Sequence, residues 1–159
     1  MIVFTPNSML RHPDASSPIE DFERPRFEWV VPDREVTSAE RVLVCSGKIG
    51  HELRGERKLR GDTNTAILFL DQLYPFPKNE LRAEMARHPN AREIVWVQEE
   101  PANMGALSYV LPRIRHYFPD IQARSVKRSA SASPATGSAK AHELEQKTLL
   151  TLAFTTGPS

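Results

Sequence analysis

From Arg41 onward the chain alternates between short continuous apolar runs and longer stretches with apolar residues three or four positions apart. The runs "RVLVCS", "TAILFLDQLYPFP" and "REIVWVQ" have strand composition, and "DIQARSVK" is a weaker strand. Between them lie helical patterns. "KIGHELRGERKLR" predicts a charged helix, and "KNELRAEMARH" a helix with Leu81 and Met85 four residues apart on one face. "GALSYVLPRIRHYF" predicts a third helix, which Pro112 is placed to kink, and "AKAHELEQKTLLTLAF" a closing one. Strands alternating with helices imply parallel pairing through crossovers, and uninterrupted apolar strands imply helices on both faces. The expected fold is an α/β three-layer sandwich with a mostly parallel sheet.

The first 33 residues read differently. "MIVFTP" has strand composition with no leading loop, so it is expected to be the tail of something larger. Pro13, Pro18, Pro25 and Pro32 then break the chain into pieces too short for a normal helix. This stretch predicts a connecting segment draped over a surface, with Phe22, Phe27 and Trp29 pinning it down. The predicted division is 1–33 for this segment and 34–159 for the α/β domain.

Composition narrows the function classes. A chain of 159 residues with 40% hydrophobic and 26% charged residues suits one globular domain with a covered core. A formal net charge of +1 supplies no basic field for nucleic acid, and no apolar segment is long enough to cross a bilayer. The single cysteine, Cys45, lies in an apolar run, as an inert thiol in a reducing, cytoplasmic setting would.

Phosphate-loop and dinucleotide-loop glycine patterns are absent, as is any Cys/His set with metal-ligand spacing. His12, His51, His88, His116 and His142 are scattered and read as surface or helix-end residues. "CSGK" is a strand-to-helix turn in which Ser46 is expected to cap and Gly47 to relieve crowding. Such a turn can also present amides to an anion. Glu99 and Glu100 follow a strand, where α/β sheets place functional loops. Adjacent residues of an extended chain point in opposite directions, so the two carboxylates do not form a catalytic dyad. They are expected to serve loop structure or an interface, one of them near the start of the following helix. "SASASPATGS" at 129–138 is expected to be an ordered contact loop, because a helix with apolar spacing follows it.

The stretches "TPNSMLRHPDASSPIEDF", "RVLVCSGKIGHEL", "LDQLYPFP", "VWVQEEPANMGA" and "RSASASPATGSAKAHELEQ" occur in this order and cover almost the whole chain. Together they resemble the C-terminal region of the thiamine-dependent first component of the 2-oxoglutarate dehydrogenase complex. The resemblance departs at Ser129, where a proline is usual, and in the extra charge of "GHELRGERKLRGDTNT". It implies a transketolase C-terminal-like domain, with 1–33 as the tail and exit linker of a preceding pyrimidine-binding domain. The full enzyme is then expected to decarboxylate 2-oxoglutarate on thiamine diphosphate with magnesium and to succinylate a lipoyl group in the tricarboxylic acid cycle. Neither cofactor is expected on this chain alone.

The implied partners are the upstream thiamine-binding domains or a separate subunit, a second copy within the full enzyme's homodimer, and the lipoyl-bearing succinyltransferase component. The resemblance implies that Glu99, Glu100, Asn103, Met104 and Gly105 form a loop or interface, with Leu107, Tyr109 and Tyr117 beside it. Ser46, Lys48, Arg128, Ser131 and Ser133 are candidate contacts for a phosphorylated effector. A 2-oxoadipate dehydrogenase and a non-catalytic effector-binding module are the alternative readings.

Overall fold

The computed structural model describes residues 9–23 and 26–155. The strand expected at "MIVFTP" lies outside them. Five strands form one sheet: β1 (Val30–Val31), β2 (Arg41–Cys45), β3 (Thr65–Leu70), β4 (Glu93–Pro101) and β5 (Gln122–Arg128), in the order β1-β3-β2-β4-β5. The four long strands pair in parallel, with Leu43 beside both Ile67 and Val95, and β1 joins the edge of β3 antiparallel. β2, β3 and the first six residues of β4 are almost wholly buried, so their side chains face apolar neighbours on either side.

Among the described residues five α-helices accompany the sheet: α1 (Glu20–Glu23), α2 (Ile49–Arg60), α3 (Lys78–Ala86), α4 (Leu107–Tyr117) and α5 (Ala139–Phe154). On one face Ile49 and Leu53 of α2 and Leu149 and Ala153 of α5 pack on Leu43, Ile67, Val95 and Val126. On the other, Leu81 and Met85 of α3 and Val110 and Ile114 of α4 pack on Val42, Leu68, Ile94 and Trp96. Helix, sheet and helix therefore make the three layers the apolar pattern demanded. α4 continues through Pro112.

The connecting segment departs from its expected course. Among its described residues the longest helix is the four-residue α1, preceded by a 3-10 turn at Pro13–Ala15, as its proline spacing requires. Its last residues enter the domain: Val30 and Val31 pair with Leu70 and Phe69, and Asp33 is 1% exposed. The aromatics expected to pin it face outward instead, with Phe22 69%, Phe27 64% and Trp29 43% exposed. What holds the segment is backbone pairing and Asp33.

β2 leads through α2 to β3 on one side, while β4 leads through α4 to β5 on the other. The chain thus departs in opposite directions from the two central strands. In open α/β sheets the crevice outside the carboxyl ends of such a pair is where ligands and partners are met.

Candidate functional site at the carboxyl end of the sheet

Two turns meet at this crevice. The first leaves β2 through Ser46, Gly47 and Lys48. Gly47 has φ +76°, and a Cβ there would meet nothing within 4 Å, so the glycine serves the left-handed backbone rather than relieving crowding. Nor does Ser46 cap α2. Lys48 is the N-cap residue, in helical conformation and without a side-chain cap bond. The second turn grows from the end of β4. Val97 pairs with Val126 and Pro101 with Arg128, so Gln98, Glu99 and Glu100 stand against Lys127 alone. This bulge re-aims the side chains at the strand's mouth.

Gln98 organises the loop from within. Its Nε2 donates to the carbonyls of Met104 at 2.9 Å and of Glu100 and Pro101 at 3.2 Å, while Oε1 accepts from Trp96 Nε1 at 2.9 Å. Gly105 has φ +66°, and a Cβ there would stand 3.0 Å from Gln98 Nε2. Both the backbone conformation and the buried amide therefore require glycine.

Glu99 turns inward. Its carboxylate accepts from Lys48 Nζ at 3.0 Å and from Gln146 Nε2 of α5 at 2.9 Å. The same Lys48 pairs with Glu52, which also accepts from Gln146 at 2.6 Å. Burial alone would lower the Lys48 ammonium, but the bonds from Glu52 and Glu99 outweigh it and hold its pKa above the ordinary lysine value. Glu100 points away and is exposed. The inward carboxylate thus braces the start of α2, not of α4 as expected, and no acid dyad forms.

Arg128, at the end of β5, performs a similar service for the next loop. It donates to the Glu99 carbonyl, to Thr136 Oγ1 at 3.2 Å, to Glu145 at 3.1 Å and to the Pro134 carbonyl at 3.0 Å. Thr136 also donates to Glu145 at 2.6 Å, and these two donors hold the Glu145 carboxyl below its usual range. Asn103 and Ser131 bond reciprocally, the Asn103 amide to the Ser131 carbonyl at 2.9 Å and the Ser131 amide to Asn103 Oδ1 at 3.1 Å. Ser133 closes the loop on itself by donating to the Ala135 carbonyl at 2.9 Å. A cleft of about 530 Å3 lies between this loop and α5, lined by Pro101, Arg128, Ser131, Leu144 and Leu152 among others.

The family model described as 2-oxoglutarate dehydrogenase C-terminal matches residues 16–154, the whole of this sheet and its helices. The chain belongs to the 2-oxoglutarate dehydrogenase C-terminal family. It is 44% identical over 158 residues to the 2-oxoglutarate dehydrogenase E1 component of Cupriavidus necator, covering 97% of this chain and 17% of that relative. To the E1 component of a Geobacillus species it is 38% identical, covering 98% of this chain and 17% of the relative. To the multifunctional 2-oxoglutarate metabolism enzyme of Mycolicibacterium vanbaalenii it is 39% identical, covering 97% of this chain and 13% of the relative. This family member therefore spans about a sixth, or less, of these relatives' length.

Within it, the two groups of residues singled out from the sequence meet. Glu99 is shared by Lys48 and Arg128, and Asn103 is tied to Ser131. Lys48 and Arg128 already hold carboxylates of the chain, so an arriving phosphate would compete with Glu52, Glu99 and Glu145 for them. The apolar interface expected around Met104 is partly filled from inside. Met104 is half-buried, Leu107 and Tyr109 pack on the core, and Tyr117 stacks on Phe76 with ring centroids 5.8 Å apart.

Among the described residues no three His, Cys, Asp or Glu side chains converge in a way that could hold a metal ion. No described helix is long and apolar enough to cross a membrane.

Sequence reasoning missed Gln98, Glu52, Gln146 and Glu145. Gln98 ends an apolar strand and looked like its boundary, and the other three lie on helices whose charged faces suggested solvent. His88, expected at a surface or helix end, follows α3 but is 2% exposed, and burial lowers its pKa.

Proposed function

We propose that the chain is the C-terminal, dimer-forming part of a 2-oxoglutarate dehydrogenase, an enzyme of the tricarboxylic acid cycle that acts in the cytoplasm. In this reading the full enzyme oxidatively decarboxylates 2-oxoglutarate on thiamine diphosphate and passes the succinyl group to the lipoyl arm of a succinyltransferase component. The observation that carries it is the likeness, 44% identity across 97% of the chain, to an E1 component. Residues 34–159 form the transketolase C-terminal-like domain. The stretch up to residue 33 arrives from the pyrimidine-binding domain and lends β1 to the sheet. Thiamine diphosphate and magnesium belong to the preceding domains, which meet this one in a homodimer.

The braced loops at 99–106 and 129–138 support this reading. They use side chains to fix backbone, as walls of a site or of a subunit contact do, and they leave Glu99 neutralised rather than poised for proton transfer. Exchanging the C-terminal part of the Cupriavidus necator relative for this chain tests it. The chimera should oxidise 2-oxoglutarate within about tenfold of the parent, while the truncated relative should be inactive. A chimera no more active than the truncation would refute the proposal.

A further inference from the structure

Single exposed apolar side chains are ordinary on a protein surface, but contiguous large ones are not. Here Ile19, Phe22, Phe27 and Trp29 follow one another along a single segment, and Tyr74 is 80% exposed. The backbone ties this segment to the turn that carries Tyr74. The Trp29 carbonyl accepts from the amides of Asp71 and Gln72 at 3.1 and 3.2 Å, two residues before Tyr74. Tyr74 in turn faces Tyr109, 6.4 Å away between ring centroids, on which the Arg113 guanidinium stacks at 3.6 Å. Phe27 and Trp29 also rim an open cleft of about 530 Å3 against Glu80 and Ala83 of α3. Aromatic rings and stacked arginine are the composition of the buried centre of an interface.

We propose that this surface, centred on Phe22, Phe27, Trp29 and Tyr74, is where the preceding part of a 2-oxoglutarate dehydrogenase chain docks on the domain. The inference rests on the functional reading above and names the surface it uses. Three observations select this occupant. The family model describes a C-terminal unit and the chain covers 17% of its relatives, so most of a relative's length precedes the matched region. The family match begins at residue 16, so the aromatic run belongs to the shared unit. That run also leads directly into β1, which joins the edge of the sheet. A covalently attached neighbour needs only a modest interface, because attachment keeps its effective concentration high.

Hydroxyl-radical footprinting tests this directly, since aromatic side chains report their own solvent access. The probes are the isolated chain and the chimera in which it replaces the C-terminal part of the Cupriavidus necator relative. Phe22, Phe27, Trp29 and Tyr74 should oxidise at least about fivefold more slowly in the chimera, as residues at an interface centre do, while Leu59 on α2 stays unchanged. Equal oxidation in both proteins overturns the inference. So does protection already present in the isolated chain and lost on dilution, which would assign the surface to a second copy. Activity of the same chimera judges the functional reading separately. An active chimera with unprotected aromatics sinks only the docking surface, and an inactive one with protected aromatics sinks only the proposed reaction. The double variant F27S/Y74S of the chimera should restore fast oxidation at Phe22 and Trp29, and continued protection there would also count against the proposal.

Discussion

Asp33 gathers more bonds than any other described side chain in the connecting segment. One carboxylate oxygen accepts the amides of Glu35 at 2.9 Å and Val36 at 3.1 Å, and the other accepts the Ile67 amide at 2.7 Å and pairs with Arg57. Burial pushes this carboxyl up, but the bonds from Arg57, Ile67 and Glu35 outweigh it and leave its pKa below the ordinary 3.8. Because the folded value lies below the unfolded one, the stabilisation is whole above about pH 4 and lost as pH falls through the folded value. Asp33→Ala should therefore destabilise by about 3–5 kcal/mol at neutral pH, since it leaves buried Arg57 only Glu35 and the Thr65 carbonyl and strips the Ile67 amide of its acceptor, and the gap to wild type should narrow in acid. Urea midpoints measured at pH 7 and pH 3 check both statements. The sequence concealed this residue: between Pro32 and Arg34 an aspartate reads as a turn, and nothing local announces partners 24 and 34 positions away.

Among the elements, strands and helices with strong periods were legible, and α5 (Ala139–Phe154) begins and ends where its pattern does. β1 was not, because two residues between Trp29 and Pro32 carry no period and owe their strand geometry to the open edge of β3. The loops were legible in role but not in wiring. Their polar residues marked a site, whereas Gln98 and Gln146, which fix its geometry, sat inside patterns that already had explanations. The two glycines separate backbone strain from crowding. Gly47→Ala meets open space and should cost about 1 kcal/mol for the left-handed backbone alone. Gly105→Ala meets the same strain plus the Gln98 amide, and should cost about 2–3 kcal/mol by displacing a bonded buried group. Chemical denaturation of the two variants, side by side, tests the order. Asn103→Ala removes the acceptor of the Ser131 amide, so hydrogen exchange at Ser131 should quicken about tenfold while exchange at Ile67 stays unchanged. Equal rates at Ser131 would show that the two loops are held together by other means.

At the scale of the whole molecule, Cys45 reports on the core. Its thiol lies wholly buried on β2, with Sγ 3.6 Å from the Leu68 carbonyl, and burial raises its pKa far above the ordinary thiol value. Only the thiolate attacks a disulfide reagent. Modification should be at least about a thousandfold slower than for a free cysteine, and should follow the same denaturant dependence as global unfolding. Modification unaffected by denaturant would mean a local opening beside β2. The antiparallel setting of β1 has a mechanical consequence as well. The chain enters the sheet from the carboxyl ends of the parallel strands, so tension applied to the segment before β1 acts at the end where the braced loops lie. Such a pull would first part the Arg34–Asp21 ion pair and then unzip the bonds at Trp29 and the two residue pairs of β1 one after another. It would halt at Asp33, whose bonds to Arg57, Ile67, Glu35 and Val36 must break together. The domain is thus built with a short, yielding strap outside a clamp, able to give slack while the central strands feel no load.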